Sequence, residues 1–103
     1  MIKVTVMYPN SEGGTFNMDY YCKKHIAMVQ RLLGKALKGV AVEQGIGGME
    51  PGSCPAFLAI GQLLFDSVDA FRSSFAPHAQ EIVGDIPNYT NSRPTIQISD
   101  VKL

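Results

Sequence analysis

This sequence is poor in cysteine, and its 103 residues hold only Cys22 and Cys54. The two form no CxxC motif and stand in no metal-ligand spacing with His25 or His78, which leaves neither a disulfide framework nor a zinc ligand set. Neither sign of charge is in excess, with nine basic residues against nine acidic ones and a pI near 6.7. Nucleic acid and anionic membrane surfaces are bound through clustered Lys and Arg, so neither is an expected partner. Lys23, Lys24 and Arg31 do gather on one side of a predicted helix, as a solvated outer face would. A secretory leader needs an unbroken apolar core, whereas Met1-Ile2-Lys3-Val4-Thr5-Val6 alternates from the start. The expected setting is therefore cytoplasmic with free thiols, and the glycosylation sequon Asn88-Tyr89-Thr90 carries no weight there. Repeats and low-complexity tracts are also absent.

What remains is the composition of one globular domain, expected over residues 1–103, with 46% hydrophobic and 17% charged residues. Residues 2–8 put Ile2, Val4, Val6 and Tyr8 on one side and Lys3 and Thr5 on the other, the period of a half-buried strand. After the turn-forming run Asn10 to Gly14, Asn17 reads as an N-cap with Asp19 in the first turn. The spacing predicts a helix over 18–33 whose apolar arc holds Met18, Tyr21, Cys22, Ile26, Met28, Val29, Leu32 and Leu33, closed by Gly34. A second strand is expected over 36–45 around Val40 and Val42. A Gly/Pro-rich loop follows, and then a third strand over 56–65. That third strand is apolar on both parities: Phe57, Leu63 and Phe65 share one face, Leu58, Ile60 and Leu64 the other. Asp66 or Ser67 caps a second helix over 67–84, kinked at Pro77, that turns Val68, Phe71, Phe75 and Ile82 inward. Thr95 to Val101 alternates again as a last strand.

The order β-α-β-β-α-β is that of the α+β ferredoxin-like plait, a four-stranded antiparallel sheet with both helices on one face. A third strand too apolar for water then calls for a second copy of the chain against the bare face, as a homodimer.

His25 lies four residues after Tyr21, so both side chains are directed at the sheet. An imidazole and a phenol there can serve as proton acceptor and hydrogen-bond donor toward a small apolar ligand, or can simply complete the core as a satisfied pair. His78, past Pro77, can face the same interior. No HxxxH or HExxH spacing is present, so no metal is expected. Gly45-Ile46-Gly47-Gly48 runs into Met49-Glu50-Pro51-Gly52 and not into a helix, which removes the anion site of a dinucleotide fold. No organic cofactor is expected either.

Phe16-x-x-x-Tyr20-Tyr21-x-x-x-His25, together with Phe75-Ala76-Pro77-His78-Ala79 and Asp85-Ile86-Pro87-Asn88-Tyr89-Thr90, resembles the EthD family over essentially the whole chain. The resemblance implies a dimeric α/β barrel, related in fold to small cofactor-free monooxygenases, polyketide cyclases and muconolactone-type isomerases that hold substrate between sheet and helices. It also implies a link to the degradation of small organic compounds, conveying fold better than reaction. On this reading His25 and Tyr21 are the candidate catalytic pair, and Phe16, Tyr20, Met28, Phe71 and His78 the candidate ligand contacts. The alternative is a non-catalytic accessory or carrier protein that sequesters such a compound.

Overall fold

The computed structural model describes residues 1–103. Alternation in the first strand decides the architecture. β1 (Ile2–Pro9) buries Ile2, Val4 and Tyr8 on one face and lies at the middle of the sheet. It pairs antiparallel with β3 (Phe57–Phe65), Val4 opposite Leu63, and with β4 (Thr95–Asp100), Val4 opposite Ile98. β2 (Gly39–Gln44) pairs antiparallel with the far side of β3, so the strand order is β2-β3-β1-β4, the ferredoxin-like arrangement. β2 is shorter than the 36–45 expected, because Gly34–Ala36 continues the first helix as a 3-10 turn before the chain extends. β4 stops at Asp100, one residue short of the expected end.

The first helix runs through three consecutive segments, Met18–Tyr20, Tyr21–His25 and Ile26–Leu33. Asn17 caps it, its side-chain oxygen accepting the Tyr20 N–H, and Gly34 ends it at φ 57°, a conformation that favours glycine. The middle segment is a π turn, in which the Ile26 N–H donates to the Tyr21 carbonyl. An undistorted helix with Tyr21 and His25 inward would continue its buried face through Met28 and Leu32. The widened turn advances that face by one residue, so Val29 and Leu33 are buried while Met28 and Leu32 are only half-buried. Cys22, expected on the apolar arc, is exposed, because the residue next to inward Tyr21 lies about 100° around the helix from it.

Ser67, not Asp66, caps the second helix, accepting the Ala70 N–H. That helix runs Val68–Phe75, passes through a 3-10 turn at Ala76–His78 and resumes over Ala79–Gly84. Pro77, which lacks an N–H and crowds the preceding turn, causes the change of winding. Val68, expected inward, lies at the surface in this first turn.

Both helices cover the same face of the sheet, and the core beneath them falls into two groups. One is largely aliphatic, with Val4, Val29, Leu33, Leu63 and Ile82 around Phe65. The other is largely aromatic, with Tyr8, Tyr21, Ile26, Ala59 and Tyr89. Nothing in the chain covers the opposite face, where Met7, Leu58, Ile60 and Leu64 remain half-buried. The molecule is a slab of 40 × 33 × 19 Å, one sheet and one helix layer thick.

Candidate functional site

Four elements bring their polar groups to one end of the core. The π turn carries Tyr21 and His25, β1 carries Tyr8, and the short 3-10 turn Ile86–Asn88 carries Asp85 and Tyr89 at its two ends. The turn holds its own shape by backbone bonds from Asn88 N–H to the Asp85 carbonyl and from Tyr89 N–H to the Ile86 carbonyl.

His25 Nδ1 lies 2.9 Å from Asp85 Oδ2, with the two side chains 6% and 14% exposed. Asp85 Oδ1 accepts the Tyr20 hydroxyl at 2.7 Å and the Asn88 side-chain N–H at 2.9 Å. Burial pushes the His25 imidazole below its ordinary 6.5, and the attraction of Asp85 restores only part of the drop. Burial also lifts the Asp85 carboxyl, but hydrogen bonds from Asn88, Tyr20 and His25 outweigh it and hold the group below 3.8. Near neutral pH the pair is therefore a neutral imidazole beside a carboxylate. The carboxylate can only accept, so the network assigns the proton to Nδ1 and leaves the lone pair on Nε2.

The tyrosines surround this imidazole. The Tyr21 ring stacks on His25 at 5.4 Å and 13°, and the Tyr89 ring meets it at 4.7 Å and 54°. Tyr8 and Tyr89 join hydroxyls at 2.7 Å. Burial is the main cause that raises the pKa of Tyr8, Tyr21 and Tyr89, so all three remain neutral phenols at neutral pH. The Tyr21 hydroxyl rests on β3 directly above Gly61, where a Cβ would collide with it. It faces the Tyr8 hydroxyl, whose proximity adds to the rise, and it lies on the cavity wall, where it can donate to a ligand.

These groups close one end of a cavity of about 100 Å³ at the junction of the two core groups. Val4, Val6, Gly61 and Leu63 form its floor on the sheet, and Ile26, Val29, Phe71, Phe75 and Ile82 its roof under the helices. Its walls include no Lys, Arg, Asp or Glu side chain. Ile96, the last residue of the sheet floor toward β4, is 57% exposed and Val83 opposite is 53% exposed, so the cavity opens between them.

Of the residues expected from sequence, Tyr21, His25 and Phe71 come together on this cavity. Phe16 does not line it; Phe16 packs edge-on against Tyr8 at 5.0 Å and borders a separate open cleft with Asn17 and Tyr89. Tyr20 points outward to Asp85, with Lys24 Nζ 5.5 Å from its ring centre. Met28 is carried off the lining by the π turn and packs at the edge of the aliphatic core. His78 is half-buried in its 3-10 turn and does not converge with His25 on the cavity. Sequence reasoning missed Asp85, Tyr8, Tyr89 and Gly61 as site residues. Asp85 and Tyr89 stand in the Asp85 to Thr90 block, and Tyr8 on the inward parity of β1, so the signals existed without a partner to attach them to. No three His, Cys, Asp or Glu side chains are grouped to hold a metal ion.

Comparison with known proteins gives a consistent picture. Residues 16–93 match the family model of the EthD domain. The chain is similar to the crystal structure of an EthD-like protein from Ralstonia eutropha JMP134, at 44% identity and a TM-score of 0.95, covering 99% of this chain and 92% of that one. It is similar in fold to an ethyl tert-butyl ether D (EthD) family protein from Bacillus halodurans C-125, at 15% identity and a TM-score of 0.74, covering 99% of each chain. It is also similar in fold to SnoaB, a cofactor-independent oxygenase from Streptomyces nogalater, at 13% identity and a TM-score of 0.53, covering 99% of this chain and 92% of that one. No curated protein matches. No helix is long and apolar enough to cross a membrane.

Proposed function

The chain belongs to the EthD domain family, and from that membership and the cavity we propose that it binds a small organic molecule under its helices and moves a proton on it with His25. The observation that carries this reading is the His25–Asp85 pair, which leaves a neutral Nε2 lone pair at the polar end of an otherwise apolar cavity. A substrate with an acidic C–H beside a carbonyl would place the carbonyl oxygen at the Tyr21 hydroxyl. Nε2 takes the proton, the C–H bond breaks, and its electron pair moves through carbon to the carbonyl oxygen, where the Tyr21 O–H stabilises the charge. The imidazolium so formed is balanced by the Asp85 carboxylate. Return of the proton to a different carbon completes an isomerisation with no co-reactant. A cofactor-independent oxygenase on the same fold supports chemistry run by protein side chains.

A second copy of the chain is the proposed partner. Met7, Leu58, Ile60 and Leu64 form a half-buried apolar patch on the uncovered sheet face, and pairing two such faces by a two-fold axis would complete their burial.

Turnover of phenolic and lactone compounds by the wild-type protein and His25→Gln tests the catalytic reading. The variant should lose roughly 10²-fold or more, the usual worth of a positioned acid–base group. Equal turnover would refute it. Binding that persists in the variant, with no proton exchange by either protein, would identify a carrier.

A further inference from the structure

The cavity's walls say which charge its ligand carries. Reading the cavity as the binding site, as above, we infer that it takes an uncharged molecule of about one ring with a single carbonyl or hydroxyl group at its inner end, and that it rejects carboxylates.

Size sets the first limit. A dry apolar cavity of about 150 Å³ holds benzene, and the volume here is about 100 Å³. The enclosed space is smaller than that, so it takes one five- or six-membered ring at most, with the ring's outer edge and any substituent in the mouth between Val83 and Ile96. Polar chemistry sets the second limit. Tyr8 and Tyr89 share one hydrogen bond, and of the side chains that line the cavity only the neighbouring Tyr8 and Tyr21 hydroxyls can donate and only His25 Nε2 is left as a basic acceptor. That serves one oxygen and one proton, and a carboxylate would keep most of its lone pairs unbonded in an apolar chamber.

Charge sets the third. A buried carboxylate requires a cation, and none lines the cavity. Arg72 and Arg93 flank the wall residues Phe71 and Pro94 in sequence, but both are exposed and neither reaches the lining. The nearest formal charge behind the imidazole is Asp85, which repels an anion. A carboxylic acid would have to enter protonated, and with a pKa of about 4.3 its neutral fraction at pH 7.5 is of order one in 10³.

Calorimetric titration with phenol, cyclopentanone and benzoate at pH 7.5, with the His25 ring protons followed by NMR, tests the inference. Phenol and cyclopentanone should bind and shift His25, and benzoate should bind at least about 100-fold more weakly. In Val83→Arg, a change at a half-exposed position that puts a cation at the mouth, benzoate should gain at least about tenfold. Benzoate binding as tightly as phenol, with His25 shifted, would overturn the inference and leave the cavity as a binding site. Val83→Arg bringing benzoate no gain would overturn it equally, because charge would then not be the reason for rejection. Failure of all three compounds to shift His25 would overturn the binding site itself.

Discussion

Gly61→Ala tests the packing that aims Tyr21 into the cavity. Gly61 lies mid-strand in β3, opposite Val6 on one side and Val42 on the other, and its backbone is not in the positive-φ region. Alanine fits that backbone, and by trimming the freedom of the unfolded chain it should stabilise by about 0.4–1 kcal/mol. Opposing this, the new methyl collides with the Tyr21 hydroxyl. Tyr21 cannot swing away, because its ring is 2% exposed and held between His25, Tyr8, Phe16 and Tyr89. Overpacking of this kind costs about 1–3 kcal/mol, so the collision wins, with a net loss of about 1–2 kcal/mol. At about 4–8 °C per kcal/mol for a domain of this size, the melting temperature should fall by about 5–15 °C. Thermal unfolding followed by circular dichroism measures it, and Gly61→Ala/Tyr21→Phe supplies the control. Removing the hydroxyl opens the space the methyl needs, so the second change should recover most of the loss as a coupling between neighbours. A Gly61→Ala protein as stable as wild type, or a loss that Tyr21→Phe does not relieve, would refute the placement of that hydroxyl on the strand.

Three other outcomes are expected. The folded imidazole of His25, which faces Asp85, Tyr21 and Tyr89, titrates below 6.5. Its contribution to stability is therefore complete above pH 6.5 and is lost as pH falls through the folded value; Asp85, held below 3.8, adds a loss of the same sign at lower pH. Urea midpoints should drop between pH 7.5 and pH 5, and a rise would contradict the assignment. Tyr8→Phe strips the buried Tyr89 hydroxyl of its partner and should cost about 1–3 kcal/mol, whereas Tyr8→Phe/Tyr89→Phe should cost less than the sum of the single changes. Ile60→Lys puts a charge in the middle of the uncovered sheet face; sedimentation should find dimers of the wild type, as proposed, and monomers of the variant, and a wild type that sediments as a monomer would contradict the proposed pairing.

The plait was legible because its signals are local: the alternation of Ile2, Val4 and Tyr8, the Asn17 cap and the double-sided greasiness of β3 each need only a few neighbouring residues to read. The candidate site was legible in part. Tyr21 and His25 could be paired by their spacing of four, but their relation to Val29 and not Met28 depends on the π turn. The apolar run Met28-Val29 and Leu32-Leu33 satisfies either winding, so its periodicity cannot report the inserted residue. Asp85 is hidden for a different reason. It lies 60 positions from His25, and what makes it the orienting group is the 3-10 turn that closes the chain over the first helix. Gly61 reads as a weak point in a strand until Tyr21 is seen above it.

The proposed chemistry depends on where the proton of His25 sits. Nitrogen-15 NMR of the protein at pH 7.5 reports it directly: the expected spectrum is that of a neutral ring protonated on Nδ1, with Nε2 bare and a titration midpoint below 6.5. In Asp85→Asn the countercharge is gone while burial remains, so the midpoint should move lower still. A ring protonated on Nε2, or one already charged at pH 7.5, would leave no base at the cavity's polar end and would contradict a proton transfer by His25.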